Sequence, residues 1–195
     1  MTIVSRETTA LLDSYAALVR KWNPHINLVA AATLDDLFSR HIADCQQLAA
    51  LSQSAQGSWI DLGSGAGFPG LVIAIERPDL AVTLVESDQR KATFLRTVVR
   101  ELGLPNIRVL TARIEAAEPA DADHVSARAL APLPLLMSYV HRHLRPDGTA
   151  WLMKGRNWMS EVEEARKMWD FKLQSQPSAT DPEAAILQIK EIRHA

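Results

Sequence analysis

Cysteine is nearly absent from this chain, with Cys45 alone among 195 residues. A single thiol excludes an intrachain disulfide, a Cys-x-x-Cys redox pair and a Cys-based zinc cluster, and it suits a reducing compartment. The six histidines include no His-Glu-x-x-His run, so no metal is expected. Long apolar runs are missing too. Stretches such as Leu71 to Ile75 fall far short of the roughly 20 residues a membrane span needs. Met1 to Arg6 lacks the apolar core of a secretory leader. A monomer in the cytoplasm, with no membrane partner, is the expectation. Charge of one sign is not in excess either: 21 Lys and Arg stand against 23 Asp and Glu, a formal −2. That argues against a globally basic coat for nucleic acid. One local exception lies between Ser126 and Trp158, where five cations (Arg128, Arg142, Arg145, Lys154, Arg156) meet one acid, Asp147. On charge alone, chance clustering on solvated faces is the plainer reading.

What is present is 47% hydrophobic, enough for one domain with its own core. Leu12, Tyr15, Ala16, Val19 and Trp22 recur at helical spacing, with Asn23-Pro24 as the expected stop. Thr33-Leu34-Asp35-Asp36 reads as a capping box, followed by an apolar stripe of Leu34, Phe38, His41, Ile42, Cys45 and Leu48. The polar stretch Ser52 to Ser58 reads as a linker. It separates a helical extension over residues 1–52 from a main domain over 59–195, the two packed as one globular unit. Short apolar runs then alternate with helical ones. Strands are expected at Trp59 to Leu62, Ala81 to Val85, Ile107 to Leu110, His124 to Ala127 and Thr149 to Met153, the last after a turn at Arg145-Pro146-Asp147-Gly148. Helices fall between them, one from about Ser160 to Trp169. Two late runs, Phe171 to Ser175 and Ala185 to Lys190, have no helix between them and read as an antiparallel pair. The fold class is therefore α/β, a mostly parallel seven-stranded sheet of Rossmann-like type. Its ligand belongs at the carboxyl ends of the strands.

The first strand runs into Asp61-Leu62-Gly63-Ser64-Gly65-Ala66-Gly67-Phe68-Pro69-Gly70. Glycines there let the backbone turn sharply and approach a ligand closely, with Pro69 in the first turn of the next helix. Gly65 to Gly70 matches G-x-G-x-x-G, the dinucleotide pattern, which alone is weak. Asp61 separates the cofactors. A carboxylate two residues before the loop would repel a pyrophosphate on the helix N-terminus. It favours S-adenosylmethionine, which carries an ammonium and a sulfonium and no phosphate. Glu86, ending the second strand, suits the hydroxyls of a ribose in either cofactor.

With these in place the chain resembles class I methyltransferases, and a longer series of motifs narrows the match. Lys21-Trp22-Asn23, Asn27-Leu28, Arg40-His41-Ile42-x-Asp44, the loop itself, Arg90-Lys91-x-x-Phe94-Leu95, Ala112-Arg113-Ile114-Glu115, Ser126-Ala127-Arg128-Ala129 and Lys154-Gly155 follow in order. Together they resemble the glucose-inhibited division protein B family. The resemblance implies methylation of guanine N7 in 16S ribosomal RNA, free or in the small ribosomal subunit. By it Gly63 and Phe68 would contact the cofactor on the loop, beside the candidate loop glycines Gly65 and Gly67, Ile114 and Glu115 would flank the adenine, and Arg128 would stand where donor meets target. Arg128 and Lys154 are the candidates on the RNA side. Val29-Ala30 departs from the family's usual hydroxyl residue, and Ala43 and Cys45 interrupt its His-Ile-Leu-Asp-Ser run.

Guanine N7 has a free lone pair and no proton to lose, so such a reaction needs no general base and rests on proximity and orientation. Two other readings stay open at the level of sequence. One is a methyltransferase of a small molecule or protein, with the basic segment accidental. The other is a NAD-dependent oxidoreductase or a non-catalytic nucleotide-binding module.

Overall fold

The computed structural model describes residues 5–195, so Met1 to Val4, on which the leader reading partly rested, lie outside them. Helix α1 (Arg6–Ile26) begins at Ser5, whose hydroxyl accepts the Thr8 N–H at 3.0 Å. Leu12, Tyr15, Ala16 and Val19 form its buried face. The helix does not stop at Asn23-Pro24. It runs on to Ile26, because Pro24 sits on the exposed side while the buried Asn23 side chain accepts the Val29 N–H at 2.8 Å. The stop is Asn27, in the left-handed region at φ 48°, whose N–H returns to Asn23 O.

The next segment departs from expectation. Thr33 caps nothing; its hydroxyl donates to Ala30 O at 2.9 Å, and Asp36 makes no return bond of the expected kind. Leu37–Ile42 is a π-helical turn that leads into α2 (Ala43–Leu51). The wider turn shifts the helical phase, so Leu37 is buried and Phe38 is exposed, while Ile42, Cys45 and Leu48 of the expected stripe are buried. Ser52 to Ser58 is pinned rather than loose, with Arg77 donating to Ser52 O at 2.8 Å and Ala55 O at 2.5 Å.

The strands are β1 (Ser58–Leu62), β2 (Ala81–Glu86), β3 (Ile107–Thr111), β4 (Ala122–Arg128), β5 (Leu144–Lys154), β6 (Trp169–Pro177) and β7 (Ala185–His194). They form one sheet in the order β3-β2-β1-β4-β5-β7-β6. The first five are parallel; β7 is antiparallel to both β5 and β6. Helices α3 (Gly70–Glu76), α4 (Gln89–Leu102), α5 (Leu133–His143) and α6 (Trp158–Ala165) supply the crossovers. Two adjustments follow from local pairing. Arg145 to Gly148 lie within β5 as an irregular bulge against β4, where Arg145 is held by Asp123 and Asp147 at 2.6 Å each. Trp169 begins β6 instead of ending a helix.

Both faces of the sheet are covered. One core joins α1, α2, α3 and α4 to Trp59, Val82, Leu84 and Trp151; the other joins α5 and α6 to Ile60, Leu62, Val125 and Leu152. The two sides of β1 thus alternate between cores, and Asp61 points, buried, into the face shared with α1 and α3. Successive strands are added on one side of β1 up to β3 and on the other side from β4, so the loops after the parallel β1 and β4 meet at the sheet's carboxyl edge.

Candidate active site

The glycine loop is held from three directions. Ser64 N–H bonds Val85 O of β2, Gly67 N–H bonds Ser64 O, and the Tyr15 hydroxyl of α1 donates to Ala66 O at 2.7 Å. Gly65 has φ +55°, and a Cβ built there would meet only Gly63 O, at 3.8 Å; it would stand in open cavity. Gly67, at φ +103°, is different: a Cβ would strike Leu71 and approach the Tyr15 hydroxyl oxygen at 3.0 Å. One glycine opens the loop to a ligand; the other lets it pack against the helices. Pro69 stands one position before the first residue of α3 rather than inside its first turn.

Glu86 is buried at the end of β2. One carboxylate oxygen accepts Gly65 N–H at 2.8 Å and the other accepts Asp88 N–H at 2.7 Å. Each oxygen keeps a second lone pair, so the side chain can clamp the loop and still receive two hydroxyl protons. Asp61 does not line the cavity. It lies behind the loop, 1% exposed, where one oxygen accepts the Ser126 hydroxyl at 2.6 Å and Ser126 in turn accepts the Trp59 indole N–H. The other oxygen has no well-formed hydrogen bond, with the Ser64 hydroxyl and Gly70 amide beside it. Burial pushes the carboxyl up to about 6 against those donors. The carboxylate lies under the first residue of α3, behind the loop and out of reach of any ligand in the cavity.

Arg128 ends β4, and the next residue, Ala129, takes φ +50°. A left-handed alanine costs about 1–2 kcal/mol. That strained turn swings the chain across the mouth of the loop. The Arg128 guanidinium reaches toward Asp44 at 3.6 Å and toward His41 O and Arg40 O at 3.4 Å, and lies 6.0 Å from the Phe68 ring centroid. Phe68 stacks on His41 with centroids 5.3 Å apart. Burial, then the Arg128 and Arg40 charges, hold the His41 imidazole down to about 4, so it is neutral near pH 7. The hydroxyl of Thr33 has given its proton to Ala30 O, so His41 Nε2 is the donor in the 3.0 Å contact between them.

Two cavities open here. The first, about 580 Å³, is lined by Gly63 to Ala66, Phe68, Glu86, Ile114, Glu115 and Arg128 among others. The second, about 460 Å³, is lined by Asp44, Met153, Lys154, Arg156, Glu161 and Thr180 among others. Thr33, His41, Arg128 and Ala129 line both. Of the residues singled out from sequence, Asp61 and Gly67 stand behind the first cavity and Lys154 lines only the second. Lys154 is also committed: its ammonium bonds Ala131 O at 2.9 Å and Glu161 at 2.6 Å, and Glu161 accepts Leu133 N–H as well. It braces the turn after Arg128. The basic segment as a whole is not a free patch, since Arg142 bonds Ala117 O, Arg145 bonds two aspartates and Arg156 faces Glu183.

Residues 8–186 match the family described as rRNA small subunit methyltransferase G (GidB). The chain belongs to that family. The ribosomal RNA small subunit methyltransferase G of Paracoccus denitrificans is 61% identical over 192 residues, covering 98% of this chain and 99% of that relative. The relative of the same name from Cereibacter sphaeroides is 48% identical over 195 residues, covering 98% and 94%. Among solved structures, a methyltransferase from Geobacter sulfurreducens aligns at TM-score 0.64 and 15% identity over 93% of this chain and 88% of its own. TYW2 of M. jannaschii in complex with AdoMet aligns at TM-score 0.59 and 11% identity, covering 78% and 77%. Those two likenesses establish the methyltransferase fold, and membership of the rRNA small subunit methyltransferase G family excludes the oxidoreductase reading.

Within this family member, sequence reasoning missed the work of Tyr15, Thr33 and Asp44. The helical spacing marks Tyr15 only as part of an apolar stripe, although a buried phenol needs a hydrogen-bond partner and that need is itself a signal. Thr33 and Asp44 meet their partners across turns whose geometry no short motif encodes.

Proposed function

We propose that this chain transfers a methyl group from S-adenosylmethionine to N7 of one guanine in 16S ribosomal RNA, as a cytoplasmic monomer acting on RNA or on the small ribosomal subunit. One observation carries the reading: two cavities of unlike chemistry share a wall at Arg128 and Ala129, beside the glycine loop. The family's relatives are named for ribosomal RNA of the small subunit, and the TYW2 structure holds AdoMet. The first cavity suits that donor. Glu86 keeps two lone pairs for ribose hydroxyls, Ile114 offers an apolar side to adenine with Glu115 at the rim, and Gly65 leaves space beside the loop. Asp61, screened by the loop, adds negative potential without touching the ligand.

S-adenosylmethionine supplies an electrophilic methyl on a sulfonium. Held by Glu86 and the Gly63 to Ala66 loop, it would give that methyl to the N7 lone pair, the sulfur keeping the bonding electrons and the positive charge passing to the base. No proton leaves N7, so no residue has to act as a base, and the neutral His41 is not asked to. Arg128 serves by orientation, with guanidinium N–H groups able to reach O6 while N7 stays free. Lys154 serves by holding Ala131 and Glu161 behind it.

The test is transfer of labelled methyl to 16S RNA or small subunits taken from cells lacking the enzyme, followed by borohydride–aniline cleavage. One N7-methylguanine is expected. Incorporation into no unmethylated ribosomal RNA, or label at another atom, overturns the reading.

A further inference from the structure

Asp44, on α2, is 8% exposed as a residue, and neither the cofactor loop nor the sheet explains its carboxylate. Its two oxygens face two separate parts of the molecule. Oδ1 accepts the Ser178 hydroxyl at 2.8 Å, 134 positions away in the turn between β6 and β7. Oδ2 faces the Arg128 guanidinium at 3.6 Å. The other Arg128 contacts are backbone carbonyls at 3.4 Å and the Cys45 sulfur at 3.7 Å, all long. Asp44 is therefore the only anion paired with Arg128 among the described residues.

Ser178 in turn organises its own loop. Its oxygen accepts N–H groups from Thr180 and Asp181, and its N–H closes on Ala184 O. Gln47, on the same helix as Asp44, clasps the turn with bonds to Pro177 O and from Ala179 N–H, each 2.8 Å. Thr180 and Asp181 wall the second cavity together with Asp44 and Arg128.

We propose that Asp44 is the positioning residue of the transfer site, one carboxylate that sets the arginine between the two cavities and the turn that walls the acceptor cavity. The proposal rests on the methyltransferase reading above and deepens it. Charge gives the arrangement a purpose. A cationic donor next to a bare guanidinium would be repelled, whereas the Asp44–Arg128 pair is close to neutral as a unit. The positive charge that appears on the base during transfer arises in the cavity that Asp44 itself lines.

Asp44→Asn isolates one arm, since the amide oxygen still accepts the Ser178 hydroxyl while the side facing Arg128 loses its charge and its acceptor. Ser178→Ala isolates the other. Calorimetry with S-adenosylmethionine and with S-adenosylhomocysteine reads the charge directly, because only the first carries a sulfonium. Asp44→Asn is expected to weaken the sulfonium ligand about tenfold relative to the thioether, an effect of the size expected for one unit charge some ångströms away in a partly screened site. It also lowers kcat toward RNA with little change in KM. Ser178→Ala leaves the ligand ratio alone and raises KM for RNA. Should the Asn variant fail to fold, Asp44→Glu keeps the charge and is expected to keep the ratio. An Asn variant with wild-type ratio and kcat, or a Glu variant that loses the ratio, overturns the proposal. Wild-type protein that binds the donor but methylates no RNA sinks the acceptor reading and still leaves the ligand ratio to judge Asp44. Binding of neither ligand by the wild type overturns both.

Discussion

The two cavities that flank Arg128 are built on different plans. The first is framed by main chain at strand ends, the Gly63 to Ala66 loop and the Ala112 to Glu115 segment, with a single clamp, Glu86. The second is framed by side chains that satisfy one another, drawn from the π-helical turn, α2, the end of β5, α6 and the β6–β7 turn. A wall of main chain is fixed once the strands pair, so it tolerates change in its neighbours. A wall of mutually paired charges holds only while every partner is present, because a half-satisfied buried network costs more than it gives.

The contrast can be broken first at the shared residue. Arg128→Ala removes a wall from both cavities, and a fall of roughly a hundredfold in kcat/KM is expected, about 3 kcal/mol for a lost charged hydrogen bond. Single-turnover kinetics should place the loss in the transfer step; a loss confined to donor KM would put Arg128 on one side only.

The donor wall is sharpened next. Glu86→Ala frees two backbone N–H groups along with the ribose acceptor and is expected to weaken S-adenosylmethionine by about 1.5–3 kcal/mol in calorimetry. Unchanged affinity would remove Glu86 from the site.

Asp61 behind that wall predicts a pH signature. Its folded pKa, about 6, lies above the ordinary 3.8, so the folded state holds this proton more tightly than the unfolded one. The stabilising contribution is complete below about pH 3.8 and is lost as pH rises through 6. At pH 8 the buried charge is thus a liability, and Asp61→Asn should be more stable than wild type by up to about 3 kcal/mol, at 1.36 kcal/mol per unit. The gap should close on acidification in denaturant titrations. The same variant should bind the donor more weakly, a trade of function for stability.

Tyr15→Phe strands Ala66 O, and a loss of about 1 kcal/mol in stability, with a comparable loss in donor affinity, is expected from urea melts and calorimetry. The smallest effect expected is on salt. Lys154 is already paired, so Lys154→Met should slow transfer without changing the dependence of RNA binding on ionic strength; a slope reduced by about one would mean a phosphate contact.

Legibility in the sequence followed the same division. The order of strands and helices, the antiparallel end and the glycine loop rest on short-range patterns, namely alternation, helical spacing and turn residues, and these were readable. Gly103 illustrates it, ending α4 in the left-handed conformation that glycine adopts freely. Asn23-Pro24 misled because the stop signal and the actual cap, Asn27, lie within one turn of each other. The π-helical turn was invisible because one extra residue per turn leaves composition unchanged while rotating Phe38 outward. Lys154 looked available for RNA because a sequence displays charges and not their partners. Asp44 is the extreme instance, its partner hydroxyl lying 134 positions downstream.

The bond from the Tyr15 phenol to the peptide after Gly65 also bears on how the protein is made and broken. Helix α1 precedes in the chain the loop that it pins, so ligand affinity should appear only after that helix has folded back. A protease nick in that helix would then register as failure to hold the methyl source, well before any defect in grasping RNA.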